Sequence, residues 1–242
     1  MDPSRPTPSP AGPALDRATL NRIARLQVSS LCDADKSLPV VDPAITEVVP
    51  SKGLLRMTGP AVTVVAHDDH LPVLVAVSQA PPGSVIVVAT DGGTRAVSGE
   101  LFATGARRRG LAGIVIDGYC RDLHGLIGLG LPVYARGTNP MSGTTMDPGT
   151  VNGPVTVGGV TSPLTVRPGW IVVADTDGMV IAEPEQIVAA LDTAEQIEHL
   201  ERRLLDRMAA GVPLAELTNL AEHLDALRAG RPTGLEFQIR QA

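Results

Sequence analysis

The spacing of apolar and polar positions becomes regular after residue 13. Leu20, Ile23 and Leu26 recur at helical spacing, which predicts a helix that is ended or restarted at Asp33-Ala34-Asp35. Residues 59–66 are rich in β-branched side chains and predict a strand. Pro60 puts that strand at an edge or at its own start, because proline donates nothing to a ladder. Pro81-Pro82-Gly83-Ser84 reads as a turn. It launches residues 85–89, an unbroken apolar run of the kind buried on both faces of a sheet. After the glycine loop 91–94, Ser98 is a candidate N-cap for a helix over about 99–109. Arg107-Arg108-Arg109 and Gly110 close that helix, cations against its C-terminal dipole and glycine for a left-handed cap. Residues 111–116 form the next buried strand, then come the loop 117–122, a short helix over 123–129 and a short strand over 132–135.

Residues 151–182 are rich in Val, Thr and Gly and predict several short strands, with turns at Pro168-Gly169 and Asp175-Thr176-Asp177-Gly178. From 184 to about 210 the pattern is helical, and a last helix is predicted over 214–227. βα units in the middle and a β-rich second half imply an α/β fold with a mixed sheet or sandwich. The Pro/Ser-rich residues 1–13 read as a disordered tail. No later linker divides the chain, so residues 14–242 read as a single domain.

Composition narrows the function classes. The chain has 242 residues, 43% of them apolar but only 2% aromatic, so its core is built from Ala, Val, Leu and Ile. A net charge of −6 argues against a nucleic-acid binder, which needs a basic surface. No apolar run approaches the ~18 residues of a membrane span. The first 13 residues hold five prolines and no apolar segment, unlike a secretory signal. Two cysteines, Cys32 and Cys120, make no disulfide framework, and a reducing cytoplasm is expected.

The best place for chemistry is the pair of loops after two neighbouring buried strands, 91–101 and 117–122, because ligands of α/β sheets collect at the carboxyl ends of strands. The first loop feeds a helix N-terminus at Gly99-Glu100-Leu101, whose free N–H groups favour an anion. In the second, Arg121 can fork onto a carboxylate. Asp122 can hold Mg²⁺ or Mn²⁺, which keep several waters, and Glu100 can hold those waters. Together they suit a small 2-oxo acid and a metal, although an adjacent Arg-Asp pair is also what a surface ion pair looks like. His67-Asp68-Asp69-His70 has the composition of a metal cluster. Strand alternation would put neighbours on opposite faces, however, and a polar loop is preferred. Asp175 and Asp177 read as a hairpin turn before ligands, and Cys120 as a buried small residue before a nucleophile. Lysine Schiff-base chemistry is disfavoured, since the two lysines, Lys36 and Lys52, lie outside both loops.

Three segments carry a resemblance: Gly99-Glu100-Leu101, then Gly110 through Asp122, then Gly130 through Gly137. They resemble the RraA-like family, which includes class II 4-hydroxy-4-methyl-2-oxoglutarate / 4-carboxy-4-hydroxy-2-oxoadipate aldolases. The family's enzymes carry an acid, twenty intervening residues, then Arg-Asp. Here Glu100 is followed by 101–120, then Arg121 and Asp122. The similarity spans roughly residues 20–210. It departs at Trp170, where the family usually has Asp, and at Glu100, which is Asp in some aldolases.

The resemblance implies a swivelling β/β/α fold, a compact mixed-sheet sandwich with N- and C-terminal helices, assembled as homotrimers or homohexamers with the site near a subunit boundary. It implies a divalent-metal-dependent, pyruvate-forming lyase for 4-hydroxy-2-oxo acids, with oxaloacetate decarboxylation as a side activity. In that reading Asp122 anchors Mg²⁺ or Mn²⁺, and Glu100 does so through water. Arg121 faces the keto oxygen, the backbone of Gly99 to Leu101 cradles the pyruvyl carboxylate, and Glu201 reaches a neighbour's site. The rival readings are a non-catalytic ribonuclease regulator, as some relatives are, and a lyase scaffold recruited to a specialised pathway.

Overall fold

In a computed structural model, which describes residues 15–49 and 56–238, the β-branched runs form one curled mixed sheet of nine strands. The proline-rich segment 1–13 and Lys52 lie outside the described residues. Chain contacts divide the protein into two units, Met1–Leu191 and Asp192–Ala242.

The first unit opens with α1 (Arg17–Ile23) and α2 (Val28–Ala34). Asp16 caps α1 by accepting the Thr19 N–H at 2.7 Å. The restart falls at 24–27 rather than at Asp33-Ala34-Asp35, which instead closes α2. Then follow β1 (Thr46–Glu47), β2 (Met57–Val65), α3 (Leu71–Gln79), β3 (Val85–Ala89), β4 (Ala96–Ser98), α4 (Glu100–Arg108) and β5 (Gly113–Cys120). After these come α5 (Leu123–Leu126), β6 (Val133–Thr138), β7 (Thr150–Val151), β8 (Val155–Val157), β9 (Leu164–Val166), β10 (Ile171–Asp175) and β11 (Gly178–Ala182). The sheet runs β1-β6-β5-β3-β2-β10-β11, with β4 also on β5 and β7 on β2, and β8–β9 form a separate hairpin.

β2 lies inside the sheet, not at an edge. Pro60 is tolerated there because β2 changes partners beside it. Met57 to Pro60 pair antiparallel with β10, and parallel pairing with β3 begins at Ala61. The missing proline N–H therefore falls at the handover. At Gly59 a Cβ would run into the Gly83 carbonyl, so only glycine lets these two backbones meet.

Every residue of β3 is buried, as its unbroken apolar run predicts. Alternation splits the core in two. Val62, Val64, Ile86, Val88, Ile114 and Ile116 face the cluster that includes α3 and α4. Ala61, Val85, Val87 and Val115 face the other, with residues of β8 to β11. Trp170 packs against this second cluster. β10 and β11 form an antiparallel hairpin, so Asp175 and Asp177 do lie at its turn. Asp175 is buried and spends its carboxylate on the N–H groups of Val28, at α2, and Asp177.

α6 (Pro184–Ala209) begins in the first unit, where Ile187 and Leu191 are buried. The second unit holds the remainder of α6, a 3₁₀ turn at Leu214–Leu217 and α7 (Leu220–Arg228). The single helix predicted over 214–227 is therefore two, broken at Thr218, whose hydroxyl accepts the Leu220 N–H.

Candidate active site

Two parallel strands, β4 and β5, deliver the two loops to one place. β5 runs on to Cys120, four residues beyond the predicted end, so Arg121 and Asp122 follow a strand directly. Ser98 is not the cap of α4. It belongs to β4, and Gly99 takes the cap position. The Arg121 N–H donates to the Ser98 carbonyl at 3.0 Å, which joins the loops through the backbone. Asp122 is in the left-handed region, φ 61° and ψ 41°, a conformation aspartate tolerates better than most residues. That turn folds its side chain back over Gly99, where a Cβ would stand 2.5 Å from Asp122 Oδ2 and 3.0 Å from Arg121 Cγ.

Arg121 Nε and Asp122 Oδ2 are 3.4 Å apart, with the two side chains 41% and 42% exposed. Both border a cavity of about 140 Å³, with Ser98, Gly99, Leu101, Phe102, His70 and Ser142 among its other walls. This is far below the several hundred Å³ of a drug-sized site and suits a small metabolite. The start of α4 forms part of the wall. The first helical bond there is Ala103 N–H to the Gly99 carbonyl, so the N–H groups before it point out of the helix end. Among the described residues the Asp122 carboxylate has no hydrogen-bond or ion-pair partner besides Arg121. Glu100 is exposed and lies against the α5 turn. A Cβ on Gly125 would overlap its carboxyl group, and it is not among the cavity's walls.

The His67–His70 loop is structural at its centre. Asp69 is buried and accepts from Thr144 Oγ1 at 2.6 Å and from the N–H groups of Leu71, Met146 and Asp147. Burial pushes its carboxyl pKa up, but the four donors outweigh that and hold it at about 2. Asp68 accepts the Arg95 N–H, and His67 Nδ1 lies 2.9 Å from the Thr90 carbonyl. No group of three potential metal ligands occurs among the described residues. The Cys120 thiol is pushed up by burial to about 11, which makes it a poor nucleophile. Lys36 is exposed and pairs with Asp33.

Sequence reasoning weighed His70 only as part of a metal-like cluster set aside as a polar loop, and it missed Phe102 and Ser142. The His70 ring stands edge-on to Phe102, with centroids 5.7 Å apart and planes at 66°. It also missed Arg136, an exposed β6 residue that bridges Asp117 and Asp42, 2.8 Å from the latter. These partners are far apart along the chain, so no local pattern announces them.

The family profile described as "RraA-like: Aldolase/RraA" matches residues 28–181, more than half the chain, and takes in both site loops. The chain belongs to the RraA-like family. An RraA-like relative from Halalkalibacterium halodurans, provisionally named 4-hydroxy-4-methyl-2-oxoglutarate aldolase, is 36% identical over 161 residues, covering 64% of this chain and 75% of that one. The crystal structure of an uncharacterised Pseudomonas syringae pv. tomato protein superposes with a TM-score of 0.71 at 27% identity, covering 85% and 98%. The RNA-processing inhibitor RraA of Thermus thermophilis superposes at 0.58 and 25% identity, covering 65% and 93%. The mixed α/β RraA fold is thus shared. Glu201, which the family resemblance sends to a neighbouring subunit, lies on α6 in the second unit and is exposed.

Proposed function

We propose that this RraA-like protein is a divalent-metal-dependent, pyruvate-forming lyase for 4-hydroxy-2-oxo acids, with oxaloacetate decarboxylation as a side activity. The observation that carries the reading is the open Arg121–Asp122 pair on a metabolite-sized cavity at the start of α4. The aldolase names of relatives near 35% identity support it.

The residues fit a hard cation. Asp122 offers a carboxylate with no backbone donor on it, and Glu100 sits against the adjoining turn. One or two carboxylates with several retained waters is the usual Mg²⁺ arrangement. When bound, Mg²⁺ or Mn²⁺ supplies positive charge that polarises the 2-oxo group. The protein's own groups do the rest. N–H groups at the start of α4 hold the pyruvyl carboxylate. The C3–C4 bond breaks as the 4-hydroxyl gives its proton to solvent water and becomes a carbonyl. The bonding pair moves onto the pyruvyl half as enolate, which takes a proton at C3. Arg121 stabilises the oxygen that gains charge. Oxaloacetate yields the same enolate by losing CO₂.

The site's neighbours support oligomers. Leu101, Leu123 and Ile127, on or beside α4 and α5, are exposed apolar residues that a trimer or hexamer would cover. Among the described residues no helix is long and apolar enough to cross a membrane, and both cysteines are free. A reducing cytoplasm is the compartment this reading takes.

The test is pyruvate release from 4-hydroxy-4-methyl-2-oxoglutarate and from oxaloacetate, with Mg²⁺ or with EDTA. Release should require the metal, and Asp122→Ala or Arg121→Ala should lower it by about 10²–10³ while the protein stays folded. Absence of release from folded, metal-supplied protein would favour the second reading, a non-catalytic ribonuclease regulator. That reading draws on the fold shared with the Thermus inhibitor and requires a stoichiometric ribonuclease complex.

A further inference from the structure

We infer that His70 reads the far end of the substrate, donating an imidazole N–H to the carboxylate that a dicarboxylic 2-oxo acid carries beyond its pyruvyl half. The inference rests on the 2-oxo-acid reading above and adds a specificity residue to it.

The cavity's polar side chains divide by what they already do. Arg121 and Asp122 pair with each other beside the start of α4, and that group takes the pyruvyl end. The polar side chains left on the wall are His70, Ser98 and Ser142. Ser98 is buried in β4, and Ser142 offers only a neutral hydroxyl. Among the described residues His70 has no hydrogen-bond or ion-pair partner for its ring nitrogens, although every other part of the residue is fixed. Its backbone N–H donates to the Thr144 carbonyl at 3.0 Å. The preceding residue is the four-bonded Asp69, and the following one begins α3. Phe102 holds the ring edge-on and is itself packed on the core cluster beneath α4. A donor held this firmly, with no internal partner and bordering a ligand-sized cavity, is preorganised for something that enters. In a cavity this small, a ligand whose pyruvyl end occupies the start of α4 brings its other end against the remaining wall.

The experiment is calorimetric titration, with Mg²⁺ present, of two analogues that lack the 4-hydroxyl and cannot undergo the cleavage. 2-Oxoglutarate and 2-oxopentanoate share the pyruvyl half and differ by a distal carboxylate against a methyl group. Wild-type protein should bind 2-oxoglutarate about tenfold or more tightly than 2-oxopentanoate, the scale of one hydrogen bond to a charged group. His70→Leu should bring the two within about threefold by weakening 2-oxoglutarate alone. His70→Gln, which keeps a donor, should restore part of the preference. Unchanged 2-oxopentanoate affinity reports an intact fold and pyruvyl site. The inference is overturned if His70→Leu keeps the wild-type preference, if both affinities fall together, or if wild type binds neither analogue. Failure of the lyase reading looks different: 2-oxoglutarate binds with the His70-dependent preference, yet no pyruvate is released from the hydroxylated substrates.

Discussion

Asp69 and Asp122 follow the ends of two parallel strands of one sheet, β2 and β5, and use the same carboxylate in opposite ways. Asp69 is buried and takes four hydrogen bonds, which tie the start of α3 to the 144–147 segment. Asp122 is turned outward in a left-handed conformation, with one arginine beside it. The dense His67–His70 cluster is therefore chiefly a staple, and the sparse Arg-Asp pair is the candidate site. Metal-like composition and chemical availability are separate properties. A carboxylate whose lone pairs already face protein donors holds a loop, and one left open can hold a ligand.

The contrast breaks most directly under matched substitutions. Asp69→Ala leaves a hydroxyl and three backbone N–H groups without their acceptor, and should cost about 3 kcal/mol or more of stability. Asp122→Ala removes an exposed side chain, loses chiefly what alanine's poorer fit to the left-handed backbone costs, and should stay within about 1 kcal/mol of wild type. Urea unfolding of both variants measures the difference. Equal losses would mean that both aspartates are structural.

A subtler change sharpens the comparison from the Asp122 side. Gly99→Ala puts a methyl group 2.5 Å from Asp122 Oδ2, and the flexible carboxylate must turn away. Turnover should fall about 10- to 100-fold, because small displacements of reacting groups are costly. The unfolding midpoint should barely move. A normal rate would show that the carboxylate's position over Gly99 is irrelevant to the chemistry.

The smallest effect is in acid. The Asp69 pKa is about 2 in the folded protein, below the ~3.9 of an unfolded aspartate. As pH falls the unfolded chain takes the proton first. The stability that Asp69 contributes is therefore full above about pH 4 and is lost as pH falls toward 2. Asp42 is also held low by the Ala44 N–H and Arg136, so wild type alone does not isolate the effect. The difference between wild type and Asp69→Asn does, and it should shrink between pH 5 and pH 3.

How much of this the sequence reveals depends on how local the cause is. The apolar run of β3 is legible because burial on both faces leaves no polar residue to interrupt it. The Arg107–Arg109 helix end is legible too, and Gly110 takes φ +73° beside it. α3 escapes notice because Val73, Val75 and Val77 suggest a strand. Its helical character rests on a tertiary choice, the burial of Val73, Ala76 and Val77 on one side. Pro60 misleads because a central strand can change partners, which only the assembled sheet reveals. In the site, Arg121 and Asp122 are legible by type and spacing. The roles of Gly99 and Gly125 as seats for Asp122 and Glu100 are not, and neither is the meeting of His70 with Phe102, since each depends on loops that only topology brings together.

The left-handed backbone at Asp122 also limits how this position can diverge. Glutamate would preserve the charge, but it suits that conformation less well than aspartate. Asparagine and glycine suit it, and both discard the charge. Drift at residue 122 is thus channelled toward neutral occupants that keep the loop's shape while removing its anion. A lineage that passes through that channel retains the RraA-like surface and loses the proposed reaction, so a folded, silent descendant lies one substitution from an active ancestor.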